Sequence, residues 1–430
     1  MQRTTTGWAV ALVCVAGFVP GCGDESAPAS NELRVDTFNV GLAGAFVPNE
    51  AARRPAVIAA MANLPSDVVC LQEVWTQEDK DAVGASARAR FPHQYSVRHN
   101  LETAVTHDID PGCMVPPEAT TAPCAADPGI QMTFEAGVAC IAQNCSTMPG
   151  SEMGRTTSTA CAQRDCFPVV AGLLTGVGAA MQAGLRCYGC FVPNLPTETL
   201  ASIRSTCTTN ARGGLAFGGQ SGTMILSRYP LTDTETLVIP GTWNRRVITR
   251  ATVNLPSGAR VGVYCNHLTP VFEGTAFPYT GRYGCGDVGR DGWIREQRAQ
   301  AERLVAEVRR REGTTGRAVI LGDFNAGPRN AAGQPELTDE AGETFSYLSQ
   351  QFSLAAPSGF VPRCTYCPDN ANNPDADPTW IDHVFLHNFP AGATRSTERT
   401  FTEATVTVPG QSARVPLSDH YGVRVVLNPP

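Results

Sequence analysis

Five apolar runs, scattered between Phe38 and His420, each stop at a short cluster of Asn, Asp, Glu, Gln or His. The clusters are Phe38-Asn39, Leu71-Gln72-Glu73-Val74-Trp75, Asn266-His267-Leu268, Gly322-Asp323-Phe324-Asn325 and Ser418-Asp419-His420. A sixth, Trp380-Ile381-Asp382-His383-Val384-Phe385, opens such a run instead of closing it. Short runs of Val, Ile and Leu are the pattern of buried strands. Polar residues at strand ends can converge on one edge of a sheet sandwich, so these clusters restrict the fold more than any other feature. Converged, they would set hard oxygen ligands suited to Mg²⁺ beside imidazoles able to move protons.

The rest of the pattern predicts a mixed α/β chain. Strands are expected at 33–40, 67–74, 222–226, 251–255, 260–266, 318–322, 381–386 and 423–427. Helices are expected at 50–64, 76–90 and 293–311, the last with Ile294, Ala301, Leu304, Val305 and Val308 in one stripe. Many strands with few helices between them predict two sheets packed face to face with helices outside. Residues 101–212 break this rhythm. They are rich in Cys, Pro, Thr and Ala and read as a mostly helical insertion with its own disulfides. Within it, 167–185 is apolar, but Gly172, Gly176, Gly178 and Gln182 argue for a buried or interface-facing helix rather than a bilayer span. Arg245, Arg246 and Arg250 read as a solvated strand face.

The N-terminus has one early charge, Arg3, an apolar run from Trp8 to Val19, and then Pro20-Gly21-Cys22. That run is too short to span a bilayer and has the form of a secretory signal. Val19-Pro20-Gly21-Cys22 resembles a bacterial lipobox, which makes 1–21 the signal, Cys22 the lipidated residue and 22–32 a small, polar tether. An ordinary signal with an incidental cysteine is the alternative. Of 16 cysteines, those beyond Cys14 and Cys22 suit disulfides in an oxidising compartment. Cys140/Cys145 and Cys161/Cys166 share a C-x4-C spacing that suggests paired helices. The C-x-x-C pairs Cys187/Cys190 and Cys364/Cys367 could ligate zinc, but disulfides with other partners are the expectation. Cys70 and Cys265, inside apolar runs, read as buried thiols.

Taken in order, the six clusters resemble the endonuclease/exonuclease/phosphatase superfamily, which includes DNase I-like nucleases and neutral sphingomyelinases. The resemblance covers about 33–100 and 213–427. It implies a DNase I-like four-layer sandwich, two packed mixed β-sheets flanked by helices, over 33–430, interrupted by the cysteine-rich insertion. It also implies hydrolysis of a phosphodiester by water with Mg²⁺, for which Mn²⁺ can substitute. By the same resemblance Glu73 binds the metal, with Asn39 and Asp419 beside it. Asp323 and Asn325 orient the water and hold the phosphate, and His420 is the general base, fixed by Asp382. His267 protonates the leaving oxygen; Glu102 is the nearest guess at its carboxylate partner. His383 is left off the site, because a lone histidine opening an apolar strand is usually structural.

Charge narrows the substrate. Lys+Arg is 33 against Asp+Glu 40, a net charge of −7, which disfavours holding nucleic acid by diffuse positive charge. Glu73-Val74-Trp75 is similar to the Glu-Val-Trp segment of neutral sphingomyelinases, and a tether at Cys22 would keep the enzyme beside lipid. The aromatic-rich loop 271–283 could touch an interface or simply cover its own core. The expectation is a monomeric, exported bacterial lipoprotein at the outer membrane or cell surface, or a secreted protein, that hydrolyses a phospholipid head group. An extracellular nuclease is the alternative enzyme. A catalytically inactive surface binding protein is the non-enzymatic one.

Overall fold

Alternation of side chains along the strands decides which face each residue meets, and the chain uses it on both sides of two sheets. The computed structural model describes residues 32–97, 105–106, 120–145, 161–176, 179–211, 213–273, 277–329, 336–410 and 412–428. The signal, Cys22 and Glu102 lie outside the described residues. Along the chain the strands are β1 (Leu33–Leu42), β2 (Val68–Val74), β3 (His93–Tyr95), β4 (Val105–Thr106), β5 (Met224–Ser227), β6 (Leu231–Ile239), β7 (Arg246–Asn254) and β8 (Arg260–His267). Then follow β9 (Arg317–Asp323), β10 (Ser353–Leu354), β11 (Asp382–His387), β12 (Thr394–Thr400), β13 (Thr405–Thr407), β14 (Arg414–Pro416) and β15 (Gly422–Leu427). One sheet has the order β12-β15-β1-β2-β5-β3 and the other β10-β11-β9-β8-β7-β6-β4, with β13-β14 a separate ribbon. Both sheets are mixed, since β1–β2 and β8–β9 are parallel among antiparallel neighbours.

The α-helices are α1 (Glu50–Met61), α2 (Gln77–Ala87), α3 (Pro128–Asn144), α4 (Phe167–Val170), α5 (Ala179–Phe191), α6 (Leu200–Thr209), α7 (Gly289–Glu312) and α8 (Gly342–Gln351). Between the sheets lie Val35, Val68, Cys70 and Ile225 against Ala251, Val263, Cys265, Val319, Leu321 and Val384. The alternate residues Phe38, Val40, Val69 and Leu71 face Val57 and Met61 of α1 and Val83 of α2. On the far side Ile248, Tyr264, Ala318, Ile320 and Phe385 meet Leu304 and Val308 of α7, Leu348 of α8, and Phe134, Phe191 and Ile203 of α3, α5 and α6. Each such side chain, fully buried, contributes about 1.5–3 kcal/mol. Helix, sheet, sheet and helix make the four layers expected. Helices of the 101–212 segment thus share one apolar cluster with the second sheet.

The expected strands and helices are present, with ends shifted by a few residues. Strand β12 was not expected, because Thr-Arg-Ser-Thr-Glu-Arg-Thr is a half-exposed edge with no apolar alternation. The apolar stretch 167–185 is not one helix. It passes from α4 into a 3-10 helix at Ala171–Leu174, leaves the helix by Gly176 at φ 119°, and is helical again in α5. Arg246 and Arg250 are buried rather than solvated. Arg250 reaches Glu312 at 3.1 Å and the Tyr264 hydroxyl at 3.1 Å, so its charge is met inside the layer between β7 and α7.

Six disulfides join described residues: Cys70–Cys265, Cys124–Cys187, Cys140–Cys166, Cys145–Cys161, Cys190–Cys207 and Cys364–Cys367. Cys285 is disulfide-bonded as well. The two C-x4-C pairs join each other in a nested pattern, Cys140–Cys166 outside Cys145–Cys161. Cys187 and Cys190 have separate partners, as expected. Two expectations are corrected. Cys70 and Cys265 are not thiols: alternation points both into the space between the sheets, where they bridge β2 and β8. Cys364 pairs with Cys367 rather than with a distant partner.

Candidate active site

The edge where the two sheets end together carries the polar clusters. Across β8, β9 and β11 the register sets His267 opposite Asp323 and Asp323 opposite Asp382, one polar row capping the inner face of the second sheet. Alternation sends Val384 inward with Asp382 and sends His383 to the other face. There its Nε2 lies 2.8 Å from the Ala326 carbonyl among Trp380, Phe345 and Phe385. Burial pushes its pKa down to about 3, so it is a neutral structural histidine.

The first sheet supplies the opposite wall. Asn39 pairs with Gln72 in the β1–β2 ladder, and strict alternation would send the next side chain, Glu73, toward the helices. Its backbone instead turns into the left-handed region at φ 59°. Asn39 Nδ2 then donates to Glu73 Oε1 at 3.2 Å and to Asp323 Oδ2 at 3.0 Å, tying the sheets together. The Ser418-Asp419-His420 turn, leading into β15, closes the site. Ser418 Oγ lies 2.7 Å from the Asn39 carbonyl, and His420 Nδ1 lies 2.9 Å from Asp382 Oδ2. His420 Nε2 and His267 Nε2 flank Asp323 Oδ2 at 3.9 and 3.5 Å. A Cβ on Gly41, whose φ is 58°, would come within 2.7 Å of Asp419 Oδ1, so only glycine lets β1 pass under this turn. Fully buried Arg53 of α1 donates to the carbonyls of Leu417 at 2.8 Å and Gly41 at 2.7 Å, bracing the same place.

Crowded carboxylates set the electrostatics. Burial, reinforced by Asp419, raises the pKa of Glu73; burial and Asp382 raise that of Asp323. Burial disfavours a charged His420, but Asp382, Asp419 and Asp323 outweigh it and hold its pKa well above the usual imidazole value. Burial and Arg246 hold His267 well below that value. The protein groups alone therefore favour a charged His420 and a neutral His267, the reverse of the protonation the water-attack scheme needs.

A divalent cation fits this donor set. Glu73 Oε2 is buried with no hydrogen-bond partner, which is costly unless a cation or proton meets it. Asp419 stands near it and could share the ion, while Asn39, whose amide N–H donates to Glu73 Oε1, orients that carboxylate. Positive charge there would offset the carboxylates that raise His420.

All eight residues expected at the site gather at this edge. Asn325, at φ 46°, donates its side-chain amide to the Leu268 carbonyl at 2.9 Å, and its N–H donates to Asp323 Oδ1 at 2.9 Å. Two further groups escaped the sequence reading. Arg246 is buried with Nε unpartnered, and the carboxylates of Glu73 and Asp323 act on its charge. Its place between charged residues on a β-type run hid it as a surface residue. Trp75 stacks on Phe217 at 4.5 Å and lies 6.0 Å from the His267 ring, an apolar wall beside the imidazole.

The sequence profile of the Endonuclease/Exonuclease/phosphatase family matches residues 37–420. No curated protein matches the chain by sequence. Among solved structures, SmcL is similar at a TM-score of 0.50 and 13% identity, over 92% of this chain and 99% of that one. Sphingomyelinase C from Streptomyces griseocarneus aligns at 0.49 and 16%, over 92% and 99%. A mutant beta toxin from Staphylococcus aureus with bound magnesium ions aligns at 0.45 and 13%, over 92% and 99%. With its profile match spanning every polar cluster, the chain belongs to the endonuclease/exonuclease/phosphatase family, hydrolases of phosphodiester bonds.

Proposed function

We propose that this protein is an exported, membrane-tethered phosphodiesterase that hydrolyses phospholipid head groups by attack of water. The observation that carries the reading is the row His267–Asp323–Asp382 joined to His420, which sets two imidazoles on either side of one carboxylate. Glu73 and Asp419, with Asn39 beside them, would hold Mg²⁺, for which Mn²⁺ could substitute, and the ion would supply positive charge at the phosphate oxygens. His420, oriented through Nδ1 by Asp382, takes the proton of the attacking water at Nε2. Asp323 and Asn325 hold that water and the phosphate between the imidazoles. His267, which the anionic phosphate bound beside it would help to protonate, delivers that proton to the leaving oxygen, and buried Arg246 adds fixed positive charge as charge grows on the phosphate.

Lipid is favoured over nucleic acid by two features. Trp75 and Phe217 stack beside His267, on the leaving-group side, and Phe46 sits at 6.4 Å from Phe217 with its ring partly exposed. The net charge of −7 offers no diffuse attraction for a polyanion. Lipidation at Cys22 after removal of 1–21 would hold a monomer at the outer membrane or cell surface, and the disulfides suit that oxidising side. Purified protein with Mg²⁺, assayed in parallel on sphingomyelin, phosphatidylcholine, plasmid DNA and RNA, tests the reading. Release of a phosphorylated head group is the expected result. Cleavage of DNA or RNA alone would make it a nuclease, and no hydrolysis of any of the four would leave a surface binding protein.

A further inference from the structure

Asp382 and His420 are 38 residues apart and belong to different sheets. Strand β11 is in the second sheet and the turn before β15 feeds the first, so no ladder of backbone hydrogen bonds fixes one partner against the other. We infer that Thr365, inside the four-residue loop closed by the Cys364–Cys367 disulfide, is the positioning residue that aligns this pair, an inference that rests on the general-base reading above.

Thr365 is 1% exposed and touches both sides of the pair. Its Oγ1 accepts from the N–H of Ile381 at 3.1 Å and of Asp382 at 3.2 Å, using both hydroxyl lone pairs. Its carbonyl accepts from Tyr421 N at 2.8 Å, the residue after His420, and its N–H donates to the Thr379 carbonyl at 2.9 Å. The next residue continues the brace: Tyr366 bridges to Thr379 and to His420, with its ring 5.2 Å from the imidazole. Further along, Asn370 and Asn372 donate to the Ser418 carbonyl at 2.9 and 3.0 Å. One segment thus grips the backbone at Asp382 and on both flanks of His420.

The disulfide explains how so short a loop stays in place. It closes a ring around Thr365 and Tyr366, and Arg399, stacked 4.3 Å from the Tyr421 ring, donates to the Cys364 carbonyl at 3.1 Å. With the loop closed, the Thr365 hydroxyl has one place to be. A threonine that only filled space there would be replaceable by valine, its near-isostere.

Thr365→Val and Thr365→Ser separate the two cases, with melting temperature recorded for each. With the generic phosphodiester bis-p-nitrophenyl phosphate and Mg²⁺, Thr365→Val should lower kcat about 10- to 100-fold, the scale of a misplaced catalytic group. KM should stay within about twofold, and Thr365→Ser should recover most of kcat because it keeps the acceptor. The low-field proton resonance of the His420 Nδ1–H, assigned by its loss in His420→Ala, should disappear or shift in Thr365→Val and persist in Thr365→Ser. Wild-type kcat and an unmoved resonance in Thr365→Val would overturn the inference, as would a Thr365→Ser protein no better than Thr365→Val. If the wild-type protein hydrolysed nothing, the functional reading would fail, while the resonance would still decide the positioning role.

Discussion

The strand-end site and the helical layer of α3 to α6 are built on opposite terms. At the site, groups from Asn39 to His420 are gathered by sheet register and left under strain. Glu73 and Asn325 hold left-handed backbone, at about 1–3 kcal/mol each, and Glu73 Oε2, Asp382 Oδ1 and His267 Nδ1 are buried without partners. In the helical layer the groups that meet are near in sequence and are bonded covalently. The four disulfides that join its described residues span separations of 16 to 63 residues, each removing about 3–4 kcal/mol of unfolded-chain entropy. Short helices are marginal alone, and closure offsets that. One region gives up stability for chemistry and the other supplies it, so substitutions in the two should separate activity from stability.

Glu73→Gln should have the largest effect on activity. Losing the anionic ligand should cut hydrolysis of a generic phosphodiester by about 10³-fold or more, several kcal/mol of transition-state charge stabilisation. Chelator should abolish the wild-type rate. Melting temperature should hold or rise, since the substitution removes a buried charge whose Oε2 has no partner. Full activity in chelator, or a large loss of stability in Glu73→Gln, would erase the contrast between the regions.

Within the site the two Asp-His pairs sharpen the same contrast. His420→Ala should lower kcat about 10²-fold or more with little change in KM, and Asp382→Asn should resemble it. His383→Ala should keep kcat within a few-fold yet melt lower, because it opens a cavity among Trp380, Phe345 and Phe385 and frees the Ala326 carbonyl. An inactive His383→Ala beside an active His420→Ala would reverse the assignment.

The order of the six clusters made the sandwich legible, because strand ends and alternation are local properties of sequence, while the eight site residues were named by the family resemblance that those clusters carry. His383 could be set apart from His420 because a lone histidine opening an apolar strand is usually structural, and the alternation of β11 turns it away from Asp382. What stayed hidden depends on long-range packing. Arg246 and Arg250 look like surface residues until Glu73, Asp323 and Glu312 are brought to them from other elements. Cys70 and Cys265, 195 residues apart, become a disulfide only when two sheets face each other. The break in 167–185 at Gly176 and the polar edge strand β12 carry no apolar period to read.

The smallest effect on activity should come from opening the helical layer. Its premise is checked first: thiol titration of denatured, unreduced mature protein should find few free thiols, and ten or more would contradict an oxidised layer. Replacing both Cys145 and Cys161 with Ala opens a closure of 16 residues, worth about 3 kcal/mol in chain entropy. The melting temperature should then fall by roughly 3–4 °C, the shift about 3 kcal/mol makes in a chain of this size. kcat should stay within about twofold, because Cys145 follows the last residue of α3, whereas the contacts toward the site come from Phe217, whose N–H donates to Thr197 Oγ1 at 3.2 Å, and from α7. Gln297 of that helix donates to the carbonyls of Thr269 at 2.9 Å and Asn325 at 2.7 Å. Cys140–Cys166 remains in the variant to keep α3 beside α4, so the loss should be one of stability alone. A fall in kcat at temperatures where the variant is fully folded would mean that the layer shapes the site as well as supporting it.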